Sequence, residues 1–288
     1  MLGEVAFFNP KFKIQNLKSK IDSLMANNFP TILALDFDGV ICDGLIEYFQ
    51  TAWRTYCQIW KPVETVPDPD LALSFYRVRP AIETGWEMPL LIRALLTGIS
   101  PEQILLEWPN IVPYLLTENN LKAQSVGAML DGLRDNWIAE DLAGWLSLHR
   151  FYPGVADRLH SLQKSSVKVA IVTTKEGRFV RELLQLAGVP MPSELIFGKE
   201  YNKPKHQILR EFMAASGKDS AIWFVEDRLK TLLSVKQQPD LSQVRLFLAD
   251  WGYNTLPERE SVAQNPPVQL LSLSQFAGDF ADWLPLEG

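Results

Sequence analysis

The first strand-like signal is Thr31-Ile32-Leu33-Ala34-Leu35, a short apolar run that follows Pro30 and stops at Asp36. Continuous apolarity over so few residues suits a strand buried on both faces, as in a parallel sheet. Upstream, Ile14, Leu17, Ile21 and Leu24 recur at helical spacing and predict an amphipathic helix. Residues 46–150 have a different texture. Helical periodicity dominates, residues 90–96 and 126–148 read as helices, and no strand pattern stands out. Pro62, Pro67, Pro69, Pro101, Pro109 and Pro113 read as turns between helices.

After Phe151-Tyr152-Pro153-Gly154 the pattern alternates. Helices are predicted over 155–163, 177–187, 205–216 and 229–236, with strands over 167–172, 195–197, 221–225 and 244–248. Residues 270–284 are expected to cap the sheet. Such alternation predicts an α/β, doubly wound parallel sheet. The first strand precedes the helical stretch and the others follow it. The expected organisation is therefore residues 1–45 as the first part of a core, 46–150 as an inserted all-helical cap, and 151–288 as the second part of the core.

Ligands bind beyond the C-terminal ends of the strands in such sheets. Strand one ends in Asp36-Phe37-Asp38-Gly39-Val40, a later strand in Thr173-Thr174-Lys175, and another in Glu226-Asp227-Arg228, with Asn202-Lys203-Pro204 between the last two. Carboxylates gathered on one edge repel unless a hard cation sits among them. Such a cation, a lysine and a hydroxyl donor together make a receptor for a phosphoryl group.

Leu33-Ala34-Leu35-Asp36-Phe37-Asp38-Gly39-Val40, Ile171-Val172-Thr173, Lys203-Pro204 and Phe224-Val225-Glu226-Asp227 resemble, in order, the four motifs of the haloacid dehalogenase (HAD) superfamily. Residues 151–155 resemble the segment that re-enters the core after a lid. Trp251-Gly252-Tyr253-Asn254 resembles a loop of phosphoglycolate-phosphatase-like members. The resemblance implies a Rossmann-like core with a C1-type helical cap. It also implies a phosphatase acting on a small phosphorylated metabolite through an aspartyl-phosphate, with Mg²⁺ as cofactor. Asp36 is then the nucleophile and Asp38 the acid–base. Mg²⁺ is held by Asp36, the Asp38 carbonyl and Asp227. Lys203 and Thr173 bind the phosphoryl group, with Lys205 and Thr174 as their rivals. Asp38 favours phosphoryl chemistry, since dehalogenases of the superfamily generally lack that acid. The chain departs from the family at Thr231, where a further acid is common, and at Glu226, so the metal site either uses Glu226 or has fewer carboxylates. A phosphomutase of the same superfamily and a HAD-like binding or regulatory protein with little turnover are the competing readings.

Substrate choice is expected to lie in the insert, at Arg79, Glu83 and Trp86, within the dense stretch of residues 77–87. Cys42 reads as a small buried apolar residue, and His149, His160 and His206 as surface residues. The net charge of −6 and the lack of a basic run argue against nucleic acid. Two cysteines without a C-x-x-C pair fit a reducing compartment. No signal-like start and no apolar run of membrane length are expected, so no membrane partner is foreseen and the cytoplasm is the expected address. The oligomeric state is left open.

Overall fold

The computed structural model describes residues 29–217 and 220–284. The helix expected around residues 14–24 lies outside them. The six-stranded sheet is parallel throughout. Its strands are β1 (Ile32–Leu35), β4 (Lys168–Val172), β5 (Ile196–Phe197), β6 (Ile222–Glu226), β7 (Arg245–Ala249) and β8 (Val268–Leu271). Their order across the sheet is β5-β4-β1-β6-β7-β8.

The first strand is central because every residue of it is buried. Leu33 and Leu35 enter the core on one face, and Ile32 and Ala34 on the other. Helices α7 (Val155–Leu162) and α8 (Gly177–Leu186) cover the first face with Leu159, Val180 and Leu183. Helices α9 (Lys205–Ser216) and α10 (Leu229–Lys236) cover the second with Ile208, Leu209 and Leu232. Coverage of both faces explains the near-continuous apolar strands. Leu35 pairs in register with both Ile171 and Val225. The residues after those three strands therefore emerge side by side.

The helices between β1 and β4 are α1 (Leu45–Trp60), α2 (Pro69–Val78), α3 (Met88–Leu96), α4 (Pro101–Glu118), α5 (Ala123–Glu140) and α6 (Leu142–Leu146). Most of their buried apolar residues form a core cluster of their own, built on Tyr56, Phe75, Leu91, Ile104 and Trp108. The chain leaves through β2 (Cys42–Asp43) and returns through β3 (Arg150–Phe151), which pair antiparallel. Both crossings thus lie just beyond Asp38.

Three expectations need correction. Pro109 and Pro113 lie inside α4 rather than in turns. Both prolines are themselves exposed, and each removes one intrahelical hydrogen bond. Residues 126–148 are not one helix: Asp141 (φ −149°) breaks it, and its carboxylate caps α6 at Gly144 N. Residues 268–271 add the edge strand β8, followed by the short helix α11 (Leu273–Ala277). Four residues paired on one side only leave too short a periodic signal for a sequence reading.

Candidate active site

Asp36 is the first residue past β1. Its backbone N–H donates to Val225 O, and its Oδ1 accepts a 2.7 Å bond from Phe37 N. The ladder and the following amide together set where its carboxylate points. Glu226 ends β6 and Asp227 follows, both 1% exposed. Ligand oxygens of Asp36, Glu226 and Asp227 all lie within 4.8 Å of one another.

Among the described residues, one ammonium faces this cluster, and it belongs to Lys205. Its Nζ is 2.8 Å from Asp36 Oδ2 and 2.6 Å from Glu226 Oε2. Lys203 lies elsewhere, exposed and paired with Glu211 at 2.8 Å. The left-handed turn at Asn202 (φ 48°) leads into Pro204, which caps α9. The first side chain of α9, Lys205, is therefore the one that reaches the strand ends. The expectation for Lys203 gives way to its rival.

Gly39 (φ +85°) makes the turn after Asp38 possible. A Cβ there would stand 2.2 Å from Asp227 Oδ2. Gly252 is as tight, since a Cβ would lie 2.3 Å from that of Asp227. Tyr253 N donates to Asp227 Oδ2 at 2.8 Å, and Asn254 Nδ2 donates to the Asp227 carbonyl at 2.9 Å. The loop after β7 thus fixes Asp227.

The charges are under strain. Burial, then the neighbouring Glu226, raises the Asp36 carboxyl to about 7, with Lys205 opposing. Burial also raises Glu226 and Asp227. Burial would lower the Lys205 ammonium, but Asp36 and Glu226 outweigh it and hold the group above the ordinary lysine range. Three carboxylates against one ammonium leave an excess of negative charge. An all-oxygen, buried, anionic donor set of this kind fits a hard divalent cation.

Thr173 is buried beside the cluster. Its backbone N–H donates to Phe197 O, and its Oγ1 accepts from Lys175 N at 3.2 Å, which leaves the hydroxyl hydrogen free to donate elsewhere. Thr174 is exposed. The Asp38 side chain is outside the metal-like group and turns to Lys175 Nζ, 3.1 Å from Oδ1 and 3.4 Å from Oδ2. On the other side of that ammonium is His149 Nε2, at 3.3 Å. His149 is thus buried, contrary to the surface role expected of it. Burial and the neighbouring Lys175 push its imidazole down to about 4. Lys175 was legible as a strand-end residue, whereas His149 carried no local signal. His160 is exposed and His206 half-buried. Cys42 is buried as expected, and burial raises its thiol.

In the insert, the Arg79 guanidinium lies 4.7 Å from the Tyr253 ring centroid and 5.1 Å from that of Tyr48, near the Asp38 loop. It donates to Ile82 O, while its buried Nε has no hydrogen-bond partner among the described residues. Glu83 is exposed and pairs with Lys230 of the core at 2.7 Å. Trp86 packs on the insert's own apolar cluster. The structure brings Arg79 near the site and leaves Glu83 at the rim. Arg228 joins the two parts, donating to Pro80 O and Tyr253 O at 2.8 Å each.

Two carboxylates two residues apart are therefore held in different settings. One faces a lysine and two further acids. The other faces a lysine and a neutral imidazole. Such a division suits one carboxylate for attack and the other for proton transfer.

Residues 110–238 match the model of a family described as haloacid dehalogenase-like hydrolase, a span that includes β4, β6 and Lys205 and begins after Asp38. A phosphoglycolate phosphatase of Pseudomonas syringae pv. syringae (strain B728a) is 24% identical over 169 residues, 58% of this chain and 49% of that protein. The chain thus spans about half the length of this curated relative. Among solved structures, a predicted phosphoglycolate phosphatase from Haemophilus somnus 129PT superposes with a TM-score of 0.55 at 17% identity, covering 88% of this chain and 96% of that one. A haloacid dehalogenase-like family protein from Streptococcus pneumoniae gives a TM-score of 0.51 at 13% identity, with 85% and 94% covered. At these identities the superpositions speak for the shared fold.

Proposed function

We propose that the chain is a haloacid dehalogenase-like hydrolase, and specifically a magnesium-dependent phosphatase of a small phosphorylated metabolite, of the phosphoglycolate-phosphatase-like kind. The observation that carries the reading is the buried group of Asp36, Lys205, Glu226 and Asp227 at the end of the central strand.

Asp36 attacks phosphorus in line. A bond forms between its carboxylate oxygen and phosphorus as the ester oxygen leaves, giving an aspartyl-phosphate. Asp38 gives its proton to the departing oxygen, a help typically worth ~10²–10⁴-fold. Asp38 then takes a proton from water as that water attacks phosphorus. The Asp36–phosphorus bond breaks and inorganic phosphate is released. Splitting the reaction in this way replaces one difficult step by two easier ones. Lys205 counters the charge that gathers on the phosphoryl oxygens and Asp36, and Thr173 donates to one of those oxygens. Asp36, Asp227 and Glu226 would hold Mg²⁺, which when bound neutralises phosphoryl charge.

The helical insert, attached beside Asp38, is placed to exclude water and to read the leaving group, with Arg79 its best-placed side chain. No described helix is long and apolar enough to cross a membrane, and cytoplasmic location is part of the proposal.

The test is phosphate release from a panel of phosphorylated metabolites, with Mg²⁺ and with excess EDTA. We expect metal-dependent release by the wild-type chain and none by Asp36→Asn, which cannot form the acyl phosphate. Release by Asp36→Asn near the wild-type rate would remove Asp36 as nucleophile. Full activity in EDTA would remove the metal.

A further inference from the structure

Proton transfer through Asp38 requires that its carboxyl group be held in place. Asp38 stands on a loop, and a proton donor is effective only within hydrogen-bond reach of the leaving oxygen. Its carboxylate is instead tied to Lys175, a side chain only 8% exposed. Burying an ammonium costs several kcal/mol unless its hydrogens find partners. Lys175 has two, Asp38 and His149 Nε2.

The tautomer of His149 follows from the chemistry of the lysine. An ammonium only donates, so Nε2 accepts and Nδ1 carries the proton. Nδ1 lies 3.2 Å from Trp145 O and donates to it. The imidazole also rests on the Trp145 ring, with centroids 4.5 Å apart. Trp145 Nε1 in turn donates at 3.1 Å to the buried Glu47. The imidazole is thus held from behind, and its free lone pair aims at Lys175.

We infer that Lys175 is a positioning residue: oriented by His149, it holds the Asp38 carboxylate in place for proton transfer to the leaving group. The three groups come from three places. Asp38 precedes the outgoing crossing, His149 immediately precedes the returning one, and Lys175 follows β4 in the core. The acid is therefore aligned only when the insert's return strand is seated. The inference rests on the phosphatase reading and adds to it a device for aiming the acid.

The test uses a series of substituted phenyl phosphates, from p-nitrophenyl to p-methoxyphenyl, which share a shape but differ in how much protonation the leaving oxygen needs. The quantity read is kcat/KM, which reports steps up to loss of the phenol. In Lys175→Met we expect losses of ~10²-fold for the poorest leaving group and under ~5-fold for p-nitrophenyl phosphate, so that dependence on the leaving group steepens. His149→Phe, which cannot accept, should steepen it likewise. His149→Gln, which keeps an acceptor, should stay near the wild-type slope. Equal losses across the series, or a change confined to KM, would overturn the inference, as would a His149→Gln slope no better than that of His149→Phe. If Lys175→Met does not fold, the two His149 variants decide. Wild type inactive on the whole series with Mg²⁺ would instead remove the phosphatase reading itself.

Discussion

Lys205 Nζ stands 2.8 Å from Asp36 Oδ2, while Lys203, two residues earlier, points to solvent and pairs with Glu211. We therefore expect Lys205→Met to lower kcat/KM by ~10²–10³-fold, the usual cost of removing one donor to developing charge. Lys203→Met should stay within about threefold of wild type. Steady-state kinetics on one substrate with both variants checks the assignment, and the reverse ranking would return the role to Lys203.

Gly39 and Gly252 give Asp227 its room. Gly39→Ala would drive a Cβ to 2.2 Å from Asp227 Oδ2 at a φ of +85°. Displacement of a catalytic group by about 1 Å costs ~10²-fold. Gly39→Ala should therefore fold yet lose activity by at least that factor and need more Mg²⁺ for half-maximal rate. Magnesium titration of activity, with a circular dichroism spectrum as the folding control, measures both.

Mg²⁺ should stabilise the chain. Burial raises Asp36, Glu226 and Asp227 above their ordinary range, so protons compete with the cation. Saturation at about 100 times Kd contributes ~2.7 kcal/mol, which should appear as a Tm rise of roughly 4–5 °C for a chain of this length. With Asp36 at about 7, the rise should be full at pH 8 and shrink as pH falls below 7 toward 5. Thr231→Asp, which supplies the acid common in the family, should lower the Mg²⁺ concentration needed. No Tm response at pH 8 would count against the metal site.

Glu47 and Arg134 join α1 to α5 by a buried ion pair, with Nε 2.8 Å from Oε1. Burial alone would raise Glu47, but Arg134 outweighs it and brings the carboxyl down to about 2 from 4.5. The folded value is depressed, so this stabilisation is complete above pH 4.5 and is lost as pH falls toward 2. Arg134→Met leaves the carboxylate buried without its cation, with the Thr51 hydroxyl and Trp145 Nε1 still donating to it, and should cost ~3–5 kcal/mol near neutral pH. Urea unfolding at pH 7 and at pH 3 should show that difference shrinking at the lower pH.

Arg79 packs between Tyr48 and Tyr253 with its Nε unpartnered among the described residues. Arg79→Ala should weaken the best metabolite substrate by ~10-fold or more in kcat/KM and affect p-nitrophenyl phosphate much less, as a missing charge-assisted bond to the leaving group would. Glu83→Ala, which breaks only an exposed pair with Lys230, should change stability by less than ~1 kcal/mol. Equal losses on both substrates would make Arg79 a structural residue.

The strands and their ends were readable because burial on both faces imposes a continuous apolar run, and each run stops where polar residues begin. Asp36, Thr173, Glu226 and Asp227 were placed at strand ends in this way, and the parallel register of β1 with β4 and β6 brings them level. A local pattern also showed the change from alternating strands to helices at residues 46–150. What lay beyond the sequence depended on direction and on distance along the chain. Whether Lys203 or Lys205 faces Asp36 turns on the left-handed backbone at Asn202 and the start of α9 at Lys205. His149 meets Lys175 across 26 residues, a contact made only when β3 returns beside β2. Side-chain aim and long-range closure are set by the packed whole, because no local periodicity encodes them.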